Sequence, residues 1–298
     1  MEYGLCCLFS KEPIKFKTFT LQTVSIEKVE AVYTHNIESL QKAFNFCAKN
    51  GIWSYRISSD LFPKIGTLLE TNFFSLEFAE KYLNKLRNLE THNLILSFHP
   101  SQFVNMGSPD EKVIQNSVSD LKQHFLIAKY LPIREVNIHL GGTYGDKESA
   151  KKRFVENVQK YLNADEVELL TIENDELSYS VEDTLEVAKI LGIRVTLDIH
   201  HHRCYSIKNP SEFSEKELVE MAGETWKNWG YQRMHISSPK DGYSTASKSR
   251  PHHDFIDDND FPEWLLEIEN LHLDIEAKEK EIAIFKLQER EKNVEQKI

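Results

Sequence analysis

Cysteine is scarce in this chain, at 4 of 298 residues. Cys6, Cys7, Cys47 and Cys204 form no CxxC pair, and adjacent Cys6 and Cys7 are poorly placed to bridge each other. That excludes a disulfide scaffold and a cysteine-based zinc knuckle. Packed, reduced thiols are expected instead, and with them a cytoplasmic compartment. No stretch approaches 18 apolar residues, so no membrane span is expected. The opening MEYGLCCLFSKEP lacks a basic segment ahead of a long apolar run, so it does not read as a signal peptide. No stretch concentrates Pro, Gly and Ser into a linker that would divide the chain. Positive charge is also short: 36 Lys and Arg against 47 Asp and Glu leave a net charge of −11. Phosphate binding draws on Lys and Arg, so this balance counts against a nucleic-acid substrate. Divalent ions bound at a site would reverse the charge locally.

What is present is alternation. Apolar, β-rich runs occur at Tyr3–Leu8, Ile52–Ile57, Asn93–Phe98, Glu135–Ile138, Leu169–Ile172, Arg194–Leu197, Gln232–Met234 and Leu271–Ile275. Between them lie stretches with helical spacing: Ile37–Asn50, Leu76–Leu89, Val113–Tyr130, Ala150–Leu162, Val181–Leu191, Ser214–Trp229 and Asp260–Ile268. Strands alternating with helices predict a parallel sheet, and eight such units predict a closed (β/α)8 TIM barrel. The length suits one barrel domain over residues 1–298, with residues 277–298 as the last helix and a charged tail. No GxGxxG follows the first run, which removes the usual support for a dinucleotide fold. Pro239–Pro251 reads as a polar, substrate-facing loop.

Six of the eight predicted strands end in a residue able to bind metal. They end at His99 in SFHPSQF, His139 in NIHLGG, Glu173 in TIEND, Asp198 in LDIHHH, His235 in RMHISS and Glu276 in DIEAKEKE. His201 follows Asp198 by three residues, and His252 lies on the loop after the seventh strand. In a barrel all strand ends of one polarity converge on one face. Singly, Glu173 or Asp198 reads as a helix cap and His200–His202 as a surface run. Jointly they describe a metal site. Glu173, Asp198 and Glu276 cannot all stay ionised in one dry cleft without added positive charge. Mixed imidazole and carboxylate ligation suits zinc, manganese or iron better than calcium. Eight candidate ligands exceed one tetrahedral shell, so two or three ions bridged by Glu173 or Glu276 are expected. Such a site favours hydrolysis of a phosphodiester.

The motifs HPSQF, NIHLGG, IEND, LDIHHH, HISS-to-RPHHD and DIEAKEKE, with the earlier YRISS, resemble those of the UV damage endonucleases. They resemble endonuclease IV and the xylose-isomerase-like barrels more distantly. The resemblance implies a TIM barrel with up to three divalent ions, often manganese, with magnesium or zinc as alternatives. It implies His99, His139, Glu173, Asp198, His201, His235, His252 and Glu276 as ligands. It also implies incision of damaged double-stranded DNA on the 5′ side of UV photoproducts, with Gln102 and Phe103 entering the duplex. Glu173, Asp198, Glu276 and Lys278 are the expected catalytic residues, with Lys278 and Arg250 as candidate phosphate contacts. No membrane and no obligatory protein partner is expected.

Three departures qualify this picture. Arg233 stands where some relatives have a lysine that can be carboxylated to bridge metals, and arginine cannot carry that bridge. No histidine lies between His35 and His92, where relatives often supply one. Leu5 and Phe9 stand near positions where relatives carry a Tyr and an Asn. Third-metal affinity and lesion range are therefore expected to differ. The alternatives are an abasic-site endonuclease or sugar isomerase on the same barrel, or a catalytically impaired barrel that binds DNA or a partner.

Overall fold

The structure is a computed structural model that describes residues 1–295. Residues 296–298, the end of the expected charged tail, lie outside the described residues. Nine strands form one sheet: β1 (Glu2–Cys6), β2 (Ser54–Ile57), β3 (Ile95–Phe98), β4 (Ile133–His139), β5 (Leu170–Glu173), β6 (Arg194–Val195), β7 (Leu197–Asp198), β8 (Gln232–Ile236) and β9 (Leu271–Ile275). Their order is β6-β5-β4-β3-β2-β1-β9-β8-β7, and every pair is parallel. The two ends of that order are consecutive in the chain. β6 and β7 are therefore one stave interrupted at Thr196, whose N–H still bonds the Ile172 carbonyl at 3.0 Å. The result is the eight-stave TIM barrel that the alternation predicts.

The helices follow the expected stripes, with ends set by caps. The first long helix, Ile26–Lys49, starts eleven residues before its predicted position, because Ser25 accepts a hydrogen bond from Lys28 N–H. Its buried stripe of Val29, Val32, Tyr33, Asn36, Ile37 and Leu40 continues at helical spacing. Asp260–Ile268 is not an α-helix. Pro262 divides it into two 3-10 turns, Asp258–Asp260 and Glu263–Glu267, and holds Phe261 in an extended conformation. The last helix spans Lys280–Glu295 and begins four residues past Glu276.

Strand parity divides the staves. Outward residues such as Tyr55, Ile57, Leu96, Phe98, Ile138 and Ile172 pack against helices in one hydrophobic core. Most barrels fill the inside with branched apolar side chains; here the inside is polar. A Cβ on Gly4 would lie 1.9 Å from Asp274 Oδ1, so glycine makes room there for a carboxylate. Below the mouth, Arg233 is fully buried and pairs with Asp274 at 2.7 Å and with Glu135 at 2.7 Å. Thr171 and Thr196 hydroxyls also approach Glu135, each at 3.3 Å.

A buried ion pair of this kind costs most when one partner is removed, because the other charge stays in a dry interior. Arg233→Met would strand Glu135 and weaken the hold on Asp274. The expected result is a loss of about 3–5 kcal/mol in unfolding free energy, read from urea denaturation. An unchanged midpoint would show that the pair is dispensable.

Candidate metal centre

Strand ends, with His201 just beyond one of them, carry polar side chains to the C-terminal mouth, and there seven of the predicted ligands meet as three groups. His99, His139 and Glu173 form one, Glu173, Asp198 and His201 a second, and Asp198, His235 and Glu276 a third; within each, the ligand atoms lie within 4.8 Å of one another. Glu173 and Asp198 are shared. Glu173 is the hub: Oε2 lies 3.1 Å from His99 Nε2, while Oε1 lies 3.1 Å from His235 Nδ1 and 3.3 Å from His201 Nδ1. Asn137 holds the same carboxylate with a 2.5 Å bond to Oε2.

The donor set fits a metal. His139 Nδ1, Glu173 Oε1, Asp198 Oδ2 and His235 Nδ1 are buried and have no hydrogen-bond partner among the described residues. Glu173 Oε1 and His235 Nδ1 are close but misaligned for a hydrogen bond. Stranded polar atoms are costly, and four converging on one cavity mark a place built for another partner. Three imidazoles are also oriented from behind. His99 Nδ1 donates to the Pro100 carbonyl at 3.0 Å, His201 Nδ1 to the Asn174 carbonyl at 3.1 Å, and His252 Nδ1 to the Glu276 carbonyl at 2.7 Å. That arrangement fixes the ring and leaves Nε2 as the ligand atom.

Asp198 satisfies both of its possible roles. It caps the helix Ile199–Ser206, with Oδ1 accepting from His201 N–H at 2.7 Å, and keeps Oδ2 free. His200–His202 is not a surface run, since His200 and His202 are buried. His200 is held structurally by the Tyr243 hydroxyl at 2.9 Å. His252 belongs to none of the three groups but borders the third, with Nδ1 4.0 Å from Glu276 Oε2 and its ring centroid 6.5 Å from that of His201.

Electrostatics favour cations throughout. Burial alone would raise Glu173, but the imidazoles of His235 and His139 hold its carboxyl well below the usual range. Burial would raise Glu276 too, and Arg56 and His235 hold it low. His139 is pushed down to about 4 by burial and stays neutral, as a ligand must. Burial works against charge on His201, but Asp198 and Glu173 outweigh it and raise the ring well above its ordinary value.

Several site residues were not visible in sequence reasoning. Arg56 Nη1 pairs with Glu276 Oε1 at 2.5 Å, and its Nη2 meets His235 Nε2 at 2.6 Å. A guanidinium only donates, so without metal Nε2 accepts and the ring proton sits on Nδ1, facing Glu173; an ion at Nδ1 would have to displace that proton. The signal was strand parity, since Ser54 and Arg56 alternate with outward Tyr55 and Ile57. Glu176 lies 4.0 Å from His201 Nε2 and 3.9 Å from Arg250 Nη1.

The predicted DNA-facing residues occupy the same face. Gln102 is exposed, and Phe103 is 81% exposed rather than packed, on the loop after β3. Lys278 is exposed at the mouth and its side chain makes no ion pair among the described residues. The Pro239–Pro251 loop is ordered by a short helix, Ala246–Ser249, and by a bridge between Pro239 and His252.

Fold and site together define a TIM-barrel protein with a buried imidazole–carboxylate cavity able to hold divalent ions. The chain belongs to the UV-endonuclease UvdE family, whose profile matches residues 2–297, and it is accordingly a nuclease. A UV DNA damage endonuclease of Bacillus cereus (strain G9842) is 31% identical over 295 residues, covering 94% of this chain and 90% of that protein. The crystal structure of SacUVDE superposes with a TM-score of 0.85 at 26% identity, covering 99% of both chains. Endonuclease IV from Thermus thermophilus shares the fold, with a TM-score of 0.59 at 14% identity, over 99% of this chain and 100% of that one. No described helix is long and apolar enough to cross a membrane.

A metal ion needs His201 neutral, whereas its raised pKa keeps the metal-free ring protonated near pH 7. Loading therefore expels a proton, and affinity falls as pH drops below the raised value. Titration calorimetry with manganese in two buffers of different ionisation enthalpy should show proton release at pH 7. Heats independent of the buffer would mean that the ring is already neutral.

Proposed function

We propose that this protein is a metal-dependent DNA repair endonuclease that nicks duplex DNA on the 5′ side of UV photoproducts by attack of water on the phosphodiester. The observation that carries this reading is the set of four unpartnered ligand atoms at the mouth, on His139, Glu173, Asp198 and His235. Cutting of UV-damaged DNA is what the names of the relatives describe.

On this reading His99, His139 and Glu173 would hold one ion, Asp198, His235 and Glu276 a second, and His201, grouped with Glu173 and Asp198, would serve a third together with His252. Manganese is the proposed metal, with magnesium or zinc as alternatives. When bound, the ions lower the pKa of a water to the neutral range and offset charge on the leaving oxygen. The protein's own groups fix the geometry. Asn137 and the imidazoles orient Glu173, Arg56 orients His235 and Glu276, and backbone carbonyls orient His99, His201 and His252. Lys278 and Arg250 face the phosphates. Gln102 and Phe103 enter the duplex at the damage, a role for which exposed Phe103 is free. The protein works as one barrel unit without an obligatory protein partner. A reducing, cytoplasmic setting agrees with its four free cysteines.

The deciding experiment is incision by the manganese-loaded protein of duplexes carrying a photodimer, an abasic site or no damage. Cutting 5′ of the photodimer and sparing of intact duplex are expected. Cutting of the abasic duplex alone would replace this reading with an abasic-site endonuclease, and no cutting of any duplex would reject it.

The wedge has its own test. Replacing Gln102 and Phe103 together by Ala should reduce discrimination between damaged and intact duplex by about tenfold, since each stacked base is worth ~1–3 kcal/mol. Equal discrimination in competition binding would reject the wedge.

A further inference from the structure

Thr143–Asp146 is a tight turn on the loop after β4, closed by Asp146 N–H to the Thr143 carbonyl at 3.0 Å. Both central residues are left-handed, Tyr144 at φ +52° and Gly145 at φ +82°. Such turns favour Asn, Asp or Gly at the first central position, because a bulky side chain there is strained. Backbone geometry thus does not call for a tyrosine, although one edge of its ring rests against Gly142 of the same loop. The tyrosine is not explained by core packing either, since its side chain is 48% exposed.

The turn is nevertheless firmly placed. A Cβ on Gly141 would lie 2.3 Å from the Asn105 side chain, so this loop lies directly against the one that carries Phe103. Arg153 ties the two loops together: Nε donates to the Gly107 carbonyl at 2.9 Å, and its guanidinium lies 6.0 Å from the Tyr144 ring centre. Tyr179 hydroxyl anchors the Gly142 carbonyl at 3.3 Å. A strained, exposed aromatic residue on a rigid support is a surface prepared for a ligand.

We propose that Tyr144 is a second stacking platform for a nucleobase, acting beside Phe103 on the adjacent loop. The inference rests on the function proposed above and extends it. Phe103 and Tyr144 follow neighbouring strands that also deliver His99 and His139 to the cavity, so a base held by the pair lies at the rim of the same mouth. Any base offers a π-face, so stacking adds affinity without reading sequence. It also needs no net positive charge, which suits an acidic protein.

The test is single-turnover incision of a photodimer duplex by manganese-loaded wild type, Tyr144→Ala, Tyr144→Phe and Tyr144→Trp. For Tyr144→Ala the half-saturating protein concentration should rise about tenfold, while the maximal rate stays within about twofold. Tyr144→Phe and Tyr144→Trp should restore saturation, since both keep an aromatic face. A Tyr144→Ala protein that saturates like wild type overturns this inference alone. So does a defect confined to the maximal rate, or one that Tyr144→Phe does not rescue. A wild type that neither binds nor nicks the photodimer duplex overturns both this inference and the function it rests on.

Discussion

Buried negative charge is the constraint from which the rest of this barrel follows. Glu135, Glu173, Asp198 and Asp274 are buried inside the staves and Glu276 lies at the mouth, against the two buried guanidiniums of Arg56 and Arg233. Five carboxylates less two guanidiniums leave three charges for imidazoles or cations to answer. The lower part of the barrel answers most of its charge internally, although Arg233 Nη1 is left without a hydrogen-bond partner among the described residues. Arg233 lies between Glu135 and Asp274, and Asp274 accepts again from Arg56. The upper part leaves His139 Nδ1, Glu173 Oε1, Asp198 Oδ2 and His235 Nδ1 without partners among the described residues, on ligands that group together. Charges that close on themselves below and stay open above are what separates a supporting layer from a site.

This division explains why so much was legible in the sequence. A parallel barrel converts chain order into spatial convergence, so a polar residue closing an apolar run is already placed at the mouth. His99, His139, Glu173, Asp198, His235 and Glu276 could be found that way, although the runs were short. The supporting layer was harder to read. Arg56 and Glu135 lie within their runs, where a polar residue looks like a defect in an apolar strand rather than an inward position. Only parity reveals them, and the rule that barrel interiors are apolar argued the other way. The split stave at Thr196 left no sequence mark, because a two-residue strand has no period. Pro262 is a visible breaker, and it overrides the apolar spacing of Asp260–Ile268.

The departures from the family pattern also take on physical meaning. A carboxylated lysine at position 233 would add a negative group beneath the metals. Arg233 adds a permanent positive one, fully buried and answered by two carboxylates. Arg56 brings a second fixed cation against His235 and Glu276. Two resident guanidiniums reduce the charge available for further ions, which runs in the same direction as the missing histidine between His35 and His92. Both guanidiniums lower the demand of the buried carboxylates for added cations.

The net charge of −11 sets the last problem, because DNA is a polyanion and the surface is acidic. Long-range attraction is therefore weak, and affinity has to come from contacts made at short range. The mouth offers two kinds. Divalent ions would concentrate positive charge where the phosphate must sit. Around them the loops present Phe103 and Tyr144, aromatic groups whose attraction to bases does not depend on net charge. Such a division rewards a duplex whose bases can be displaced. An intact helix offers phosphates but hides its base faces, whereas a damaged one gives up stacking at a lower cost. On the proposed function, an acidic surface with aromatic tips would discriminate by rejecting the generic part of DNA and binding the part exposed by distortion.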